Sequence, residues 1–221
     1  MEAWVVILGW ALFGGTHIGL STNSIRSGLT GKMGEKGFQG FYSLIALITF
    51  GALIAAFYYT KSPAISNPAI NGSPPALRHA SSVLMLFAFI LLFTGFTDRT
   101  PMGMVSAEAK ARGIVRITRH PMNMAFALFG LAHLLTSHFA AEWFFYGGFI
   151  LYGYFGSAHQ DLKKVRTGGD ELSSFVAETS IFPFGAVVMG KQPFKPGEIS
   201  KIGLLLGIVA TVVARYLHPG F

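Results

Sequence analysis

A chain of 221 residues that is 52% hydrophobic and only 12% charged, with a mean hydropathy of +0.51, is set apart from soluble domains, which carry about 25% charged residues. The composition points to an all-α integral membrane protein. The formal charge of +7 resides in short loops beside apolar runs, so an anionic lipid surface is the expected partner rather than nucleic acid. The absence of cysteine excludes disulfides, thiolate catalysis, thiolate-bound iron–sulfur clusters and covalent c-type haem attachment, leaving His, Met, Asp, Glu or Tyr to bind any metal or haem.

Six apolar segments follow one another near 3–21, 41–60, 80–97, 121–139, 142–158 and 202–217. Each has roughly the 17–20 residues that a bilayer-crossing helix needs. Lipid-exposed strands and loops are excluded because their backbone groups would go unpaired. The start, Met1-Glu2-Ala3-Trp4, has no basic n-region and no small-x-small cleavage site follows, so a retained helix is expected. Fourteen of the 17 Lys and Arg fall in the first, third and fifth loops. That asymmetry predicts a six-transmembrane-helix bundle with those loops in the cytoplasm and both termini outside, in the periplasm.

The loop 61–79 holds Pro63, Pro68, Pro74 and Pro75 among Ser, Asn and Gly, so it reads as an irregular connector. Almost no loop is predicted near 139–142, which makes the fourth and fifth helices a tight antiparallel pair. The loop 159–201 is the longest, and its Ser180-Ile-Phe-Pro-Phe184-Gly185 is too short to span and suited to the membrane interface. No internal repeat and no separate soluble domain is visible.

The basic, proline-marked boundary Arg116-Ile-Thr-Arg119-His120-Pro121 runs into an apolar segment with His133 well inside it. An ionisable ring in hydrocarbon is a functional-site hypothesis. His17 is its one comparably placed counterpart, in Gly14-Gly15-Thr16-His17-Ile18-Gly19. Each reads either as a ligand or as a satisfied core histidine, and the glycines beside His17 suit close helix contact or a flat ligand. At 1.5 Å per residue their depths differ by roughly 10 Å in a ~30 Å core. With neighbouring helices about 9 Å apart, the Cα separation comes near 13 Å. Two imidazoles on opposite faces of a haem iron need about that span, with metal–nitrogen bonds near 2 Å. The geometry permits a tilted haem without requiring one.

Pro121 suits a first helical turn, which sets Arg119 and His120 at a helix N-terminus. There they receive a propionate or phosphate, or simply anchor the helix. His120 stands 13 residues before His133 on a different azimuth, so the two do not easily serve one iron. His79, His138 and His218 read as rings at the outer water interface, and His159 as a hydrogen-bonding or helix-end residue.

Several motifs in order resemble the NnrU family of bacterial membrane proteins and its relative, the plant and cyanobacterial 15-cis-ζ-carotene isomerases. They are His17-Ile-Gly-Leu-Ser-Thr-Asn-Ser-Ile-Arg26, Gly34-Glu35-Lys-Gly-Phe-Gln-Gly-Phe-Tyr42-Ser43, Arg119-His120-Pro121, Leu131-Ala132-His133-Leu134, Gly156-Ser-Ala-His159-Gln160-Asp161 and Glu178-Thr179-Ser180-Ile-Phe-Pro183-Phe184. The resemblance covers nearly the whole chain and implies a single transmembrane domain over 1–221 in a bacterial inner membrane. It also implies a haem b (iron) held by His17 and His133. The implied role is a membrane factor accompanying nitrite and nitric oxide reduction, as in denitrification, or a haem-dependent cis–trans isomerase.

The isomerase pattern has a cysteine three residues before its second histidine, where this chain has Gly130, which tilts the expectation towards the NnrU side. Arg26, Arg116, Arg119 and His120 are the candidate propionate partners, with Phe129 as a further cofactor contact. Headgroup contact is the competing reading for each arginine. Bis-imidazole ligation suits electron transfer or redox sensing, with a redox partner or a hydrophobic polyene as the counterpart. S-adenosylmethionine-dependent membrane methyltransferases also carry Arg-His-Pro before an apolar helix. Their usual tyrosines are missing after Asp170-Glu171.

Overall fold

The computed structural model describes residues 3–60, 73–103 and 107–218. Among them every regular element is helical: α1 (Trp4–Ser21), α2 (Asn23–Thr60), α3 (Pro75–Thr97), α4 (Pro121–Leu134), α5 (Ala140–Glu178), the single turn α6 (Gly185–Val188) and α7 (Lys201–Leu217). Two 3₁₀ turns, Gly113–Arg116 and Pro196–Glu198, lie between them. Three helices, α1, α2 and α3, are long and apolar enough to cross a membrane. All six apolar segments coincide with helices, but α4 has 14 residues rather than the 19 expected. It is about 21 Å long at 1.5 Å per residue, below the ~30 Å hydrocarbon thickness.

Two stretches expected as loops are helical. Residues 23–40 belong to α2, and residues 159–178 continue α5. Polar helices carry no hydropathy signal, so a reading by apolar runs stops where the charges begin. Each long helix is interrupted by one glycine, Gly34 (φ 73°, ψ 166°) and Gly169 (φ 61°, ψ −146°). Only a residue without Cβ adopts these angles cheaply, so the glycines set where the helical direction changes. Of the connector 61–79, residues 61–72 lie outside the described residues. Pro75 already occupies the first turn of α3, where its missing N–H costs nothing.

The chain divides into two compact units. The first contains Met1–Ala69 and Ser137–Gly148. Here α1 and α2 run antiparallel, with a Cβ on Gly9 only 3.1 Å from Leu53 Cα, and with Val6 and Leu53 fully buried. The indole of Trp10 occupies the space that a Cβ on Gly148 would need, and its Nε1 donates to the Phe145 carbonyl at 3.1 Å. Phe57 stacks on Phe145 at 4.2 Å and 11°.

The second unit contains Ile70–Thr136 and Phe149–Phe221. Gly203 and Gly207 let α7 approach α3 until an added Cβ would stand 2.8 Å from the Cα of Thr94 or Ile90. Gly153 does the same for α5 on α4, where a Cβ would meet the Asn123 carbonyl at 2.7 Å. Asn123 also donates to Ser157 at 3.0 Å. Low numbers on α4 thus face high numbers on α5, which makes the pair antiparallel as predicted. Leu91, Met102, Ile114, Val115, Ile117, Met124, Ala125 and Phe175 form one buried cluster. Asp98 closes its base by accepting from the backbone N–H groups of Ile114 (3.1 Å) and Ser200 (3.3 Å).

Candidate functional site

In the first unit His17 sits on α1 between aromatic rings. Its ring centroid lies 5.3 Å from Phe13 and 4.7 Å from Tyr42 of α2. The Tyr42 hydroxyl donates to the His17 carbonyl at 3.2 Å, so the same side chain fixes both ring and backbone. Tyr42 stacks on Phe38, and the Arg26 guanidinium lies 5.3 Å above the Phe38 ring. Arg26 also pairs with Glu35. A Cβ on Gly15 or Gly19 would meet nothing within 4 Å, but positions two residues from His17 lie across the helix from its ring.

In the second unit His133 stands near the end of α4. Its Nδ1 lies 2.8 Å from the Phe129 carbonyl. A carbonyl only accepts, so Nδ1 carries the hydrogen, and in the neutral ring Nε2 carries the lone pair. Metal-binding histidines are commonly oriented in this way, one nitrogen engaged by a backbone carbonyl and the other towards the metal. The Phe129 ring lies 4.2 Å from the imidazole, and that of His218 lies 6.3 Å away. Phe149 meets Phe129 edge-on at 5.1 Å.

The start of α4 carries different chemistry. Arg119 donates through Nε and Nη2 to Asp161 of α5 (2.6 Å at the shortest) and through Nη1 to the Thr179 carbonyl at 2.8 Å. His120 Nε2 donates to the other carboxylate oxygen at 2.7 Å. Arg119, His120 and Asp161 are 7%, 4% and 7% exposed, so this charged knot is closed to solvent. Burial pushes the Asp161 carboxyl up, but the hydrogen bonds from His120 and Arg119 prevail and hold it below the usual carboxylate range. The Arg119 N–H donates to the Ser180 carbonyl (2.9 Å), the Thr118 hydroxyl to that of Ile181 (2.5 Å), and the Phe184 N–H to that of Ile117 (2.9 Å). These bonds strap residues 180–184 across the α4 entrance.

Of the residues singled out by sequence, the structure brings Phe129 together with His133, and Arg119 together with His120. Arg116 stands elsewhere, donating to Glu198 (2.8 Å) and Gln192 (2.6 Å). That contact lowers the exposed Glu198 carboxyl to about 2. His17 and Arg26 belong to the first unit, joined through Phe38 and Tyr42. His159 has its pKa lowered by burial and then by Lys163 and Arg166, and His79 donates to the Pro75 carbonyl at 2.6 Å.

Sequence reasoning missed Asp161 as the partner of Arg119 and His120, and Tyr42 as the neighbour of His17. Asp161 had a signal. In an antiparallel pair turning near residue 139, positions about 20 residues to either side face each other.

No group of three or more His, Cys, Asp or Glu side chains able to hold a metal ion occurs among the described residues. A haem iron takes four donors from its own porphyrin and needs only one or two imidazoles. His133, with Nδ1 engaged and Nε2 bearing the lone pair, fits that demand, and His17 offers a second imidazole held between Phe13 and Tyr42.

The chain is 26% identical over 226 aligned positions to the 15-cis-zeta-carotene isomerase, chloroplastic, of Zea mays, which covers 97% of this chain and 60% of that protein. It is 30% identical over 110 positions to the protein of that name from Arabidopsis thaliana, covering 48% of this chain and 30% of that one. The chain thus spans less than two thirds of the length of these curated relatives. No solved structure matches it. The sequence model of the NnrU protein matches residues 5–221, nearly end to end, and this chain therefore belongs to the NnrU family.

Proposed function

We propose that the chain is a haem-b-dependent cis–trans isomerase of a conjugated polyene, working within the bilayer as one transmembrane domain of six spans with both termini outside. The observation that carries this reading is the similarity to a 15-cis-zeta-carotene isomerase along 97% of the chain. In this reading His17 and His133 supply the imidazole ligands. When bound, haem would supply one-electron exchange with the polyene, lowering the barrier to rotation about a cis double bond without net oxidation.

The chain's own residues do the holding. The Phe129 carbonyl fixes the His133 tautomer, and Phe13 and Tyr42 fix the His17 ring. Phe129 packs against the His133 ring at 4.2 Å and is itself backed edge-on by Phe149 at 5.1 Å. Arg26 remains the propionate partner proposed for the first unit. Arg116, Arg119 and His120 are proposed for the second, although each already donates to a protein acceptor.

The Gly130 position favours a second reading. No thiolate is available to exchange at iron, so a redox factor accompanying nitrite and nitric oxide reduction in a bacterial inner membrane is the alternative. The methyltransferase reading rests on Arg119-His120-Pro121 alone, whereas both curated relatives are isomerases, so the isomerase reading is preferred to it.

The test uses protein reconstituted with haem under reducing conditions and supplied with 15-cis-ζ-carotene. Loss of the 15-cis isomer, followed by chromatography, is the expected result; an intact isomer with a fully haem-loaded protein sinks the isomerase reading. Absorption spectra of His17→Ala and His133→Ala check the ligands separately. Retention of the low-spin bands in both variants ends the assignment.

A further inference from the structure

Residues 180–195 expose an unusual amount of apolar surface for a segment so firmly held. Phe182, Phe184, Val188, Met189 and Phe194 are 58%, 40%, 84%, 60% and 55% exposed. Their backbone is nevertheless fixed. Besides the bonds to Ile117, Thr118 and Arg119, the N–H groups of Lys191 and Gln192 both donate to the Ala186 carbonyl, and Arg116 grips the Gln192 side chain at 2.6 Å. Phe184 adopts the left-handed conformation (φ 63°, ψ −1°), which side chains other than Gly or Asn seldom take. Such a conformation persists only where surrounding bonds over-determine it. The strap thus spends backbone strain on turning large apolar side chains outward.

What they meet is indicated by their neighbours. Phe182 stacks on Tyr154 of α5 at 5.4 Å and 18°. It thereby extends the exposed apolar surface that Leu151, Phe155 and Leu162 form along that helix. On the other flank stand Lys191 and Lys195, both exposed. Lys191 Nζ donates to the Ala177 carbonyl at the end of α5. Two carboxylates are at hand, Glu178 beside Ala177 and Glu198, which is held chiefly by Arg116 at 2.8 Å with Lys195 at 3.5 Å; against Arg116, Lys191 and Lys195 they leave positive charge in excess. Aromatic and aliphatic side chains bordered by lysines form the pattern that sits at the boundary of acyl chains and anionic headgroups.

We propose that residues 180–195 are a preformed hook that inserts Phe182, Phe184, Val188, Met189 and Phe194 into the acyl–headgroup boundary of an anionic bilayer, with Lys191 and Lys195 on the headgroups. Because the backbone is already fixed, insertion needs no ordering of the chain. The inference rests on the protein lying in a bilayer, as its three long apolar helices indicate, and is independent of haem.

The lack of cysteine allows a direct test. Val188→Cys and Met189→Cys each carry one spin label in the full-length protein, reconstituted in phosphatidylcholine vesicles with and without phosphatidylglycerol. Collision with oxygen, which concentrates among acyl chains, is compared with collision with a water-soluble nickel chelate. Leu47→Cys, on the exposed apolar face of α2, is the lipid reference, and Glu171→Cys is the hydrated one. The expected result is an oxygen-to-nickel ratio at 188 and 189 severalfold above that at 171. The ratio should rise further with phosphatidylglycerol, and Lys191→Gln with Lys195→Gln should abolish that rise. Labels at 188 and 189 as hydrated as at 171, with 47 in lipid, overturn the proposal and leave a protein partner as occupant. A hydrated label at 47 instead removes the membrane reading beneath it. Insertion indifferent to phosphatidylglycerol overturns the assignment of the lysines to anionic headgroups.

Discussion

His17 of the first compact unit and His120 of the second are held by different means. Around His17 the fixing groups are rings, Phe13 and Tyr42, and the nearby Arg26–Glu35 ion pair is 38% and 52% exposed. Around His120 the fixing groups are charges, and the side chains of the Arg119–Asp161 pair are only 8% and 11% exposed. An exposed pair contributes about 0–1 kcal/mol, whereas a buried one punishes the loss of either member. Ring packing orients the His17 imidazole without a charge, while the ionic knot commits Nε2 of His120 to Asp161. The first arrangement suits a ligand and the second suits a clamp.

The comparison breaks most readily at Asp161. Asp161→Ala leaves the Arg119 guanidinium buried without its counter-charge, and a loss of about 3–5 kcal/mol is expected from equilibrium unfolding in detergent. A loss below that of Tyr42→Phe would show that the knot is not a clamp. Replacing both partners with apolar residues, Arg119→Met with Asp161→Leu, should recover much of the loss.

Next come the close approaches, one in each unit. Gly148→Ala displaces the Trp10 indole and breaks its bond to Phe145, and Gly153→Ala drives a methyl towards the Asn123 carbonyl. Each should cost roughly 1–3 kcal/mol. Only Gly148→Ala should shift the tryptophan fluorescence, and an unchanged spectrum would contradict the packing of the first unit.

Tyr42→Phe removes one hydrogen bond to the His17 carbonyl while keeping the ring contact, for an expected loss of about 0.5–1.5 kcal/mol. The smallest effect is that of pH. Glu198 is lowered in the folded protein from its usual 4.5 to about 2. Its contribution is therefore complete above pH 4.5 and fades as the pH falls through 2, the sign for a depressed carboxyl. Glu198→Gln should flatten that acid limb of the stability curve, and an unaltered limb would assign it to other carboxylates.

Hydropathy made the helices legible, because each apolar run between Trp4 and Leu217 is a helix in the structure. Their extensions were not. Residues 23–40 and 159–178 form helix without apolar periodicity, and Gly34 and Gly169 break them where the sequence shows only two glycines among many. The pairing of α4 with α5 was foreseen from the near-absent loop, yet Arg119 was read as a cofactor or headgroup contact. Its acceptor lies 42 positions onward, beyond the reach of local pattern. Residues 180–185 were expected at the membrane interface, but their docking on the α4 entrance escaped for a related reason, since the acceptors on the strap are backbone carbonyls and leave no side-chain signature.

The separation of Arg119 from its acceptor also bears on biosynthesis. A ribosome adding about 5–20 residues per second makes Arg119 some 2–8 s before Asp161. During that interval Arg119 lacks the carboxylate that holds it in the finished protein, so it stays among water and headgroups until Asp161 of α5 emerges. Closing the α4 entrance is accordingly one of the last events of assembly. A truncated chain ending before Asp161 should display Arg119 to modifying reagents that the finished protein excludes.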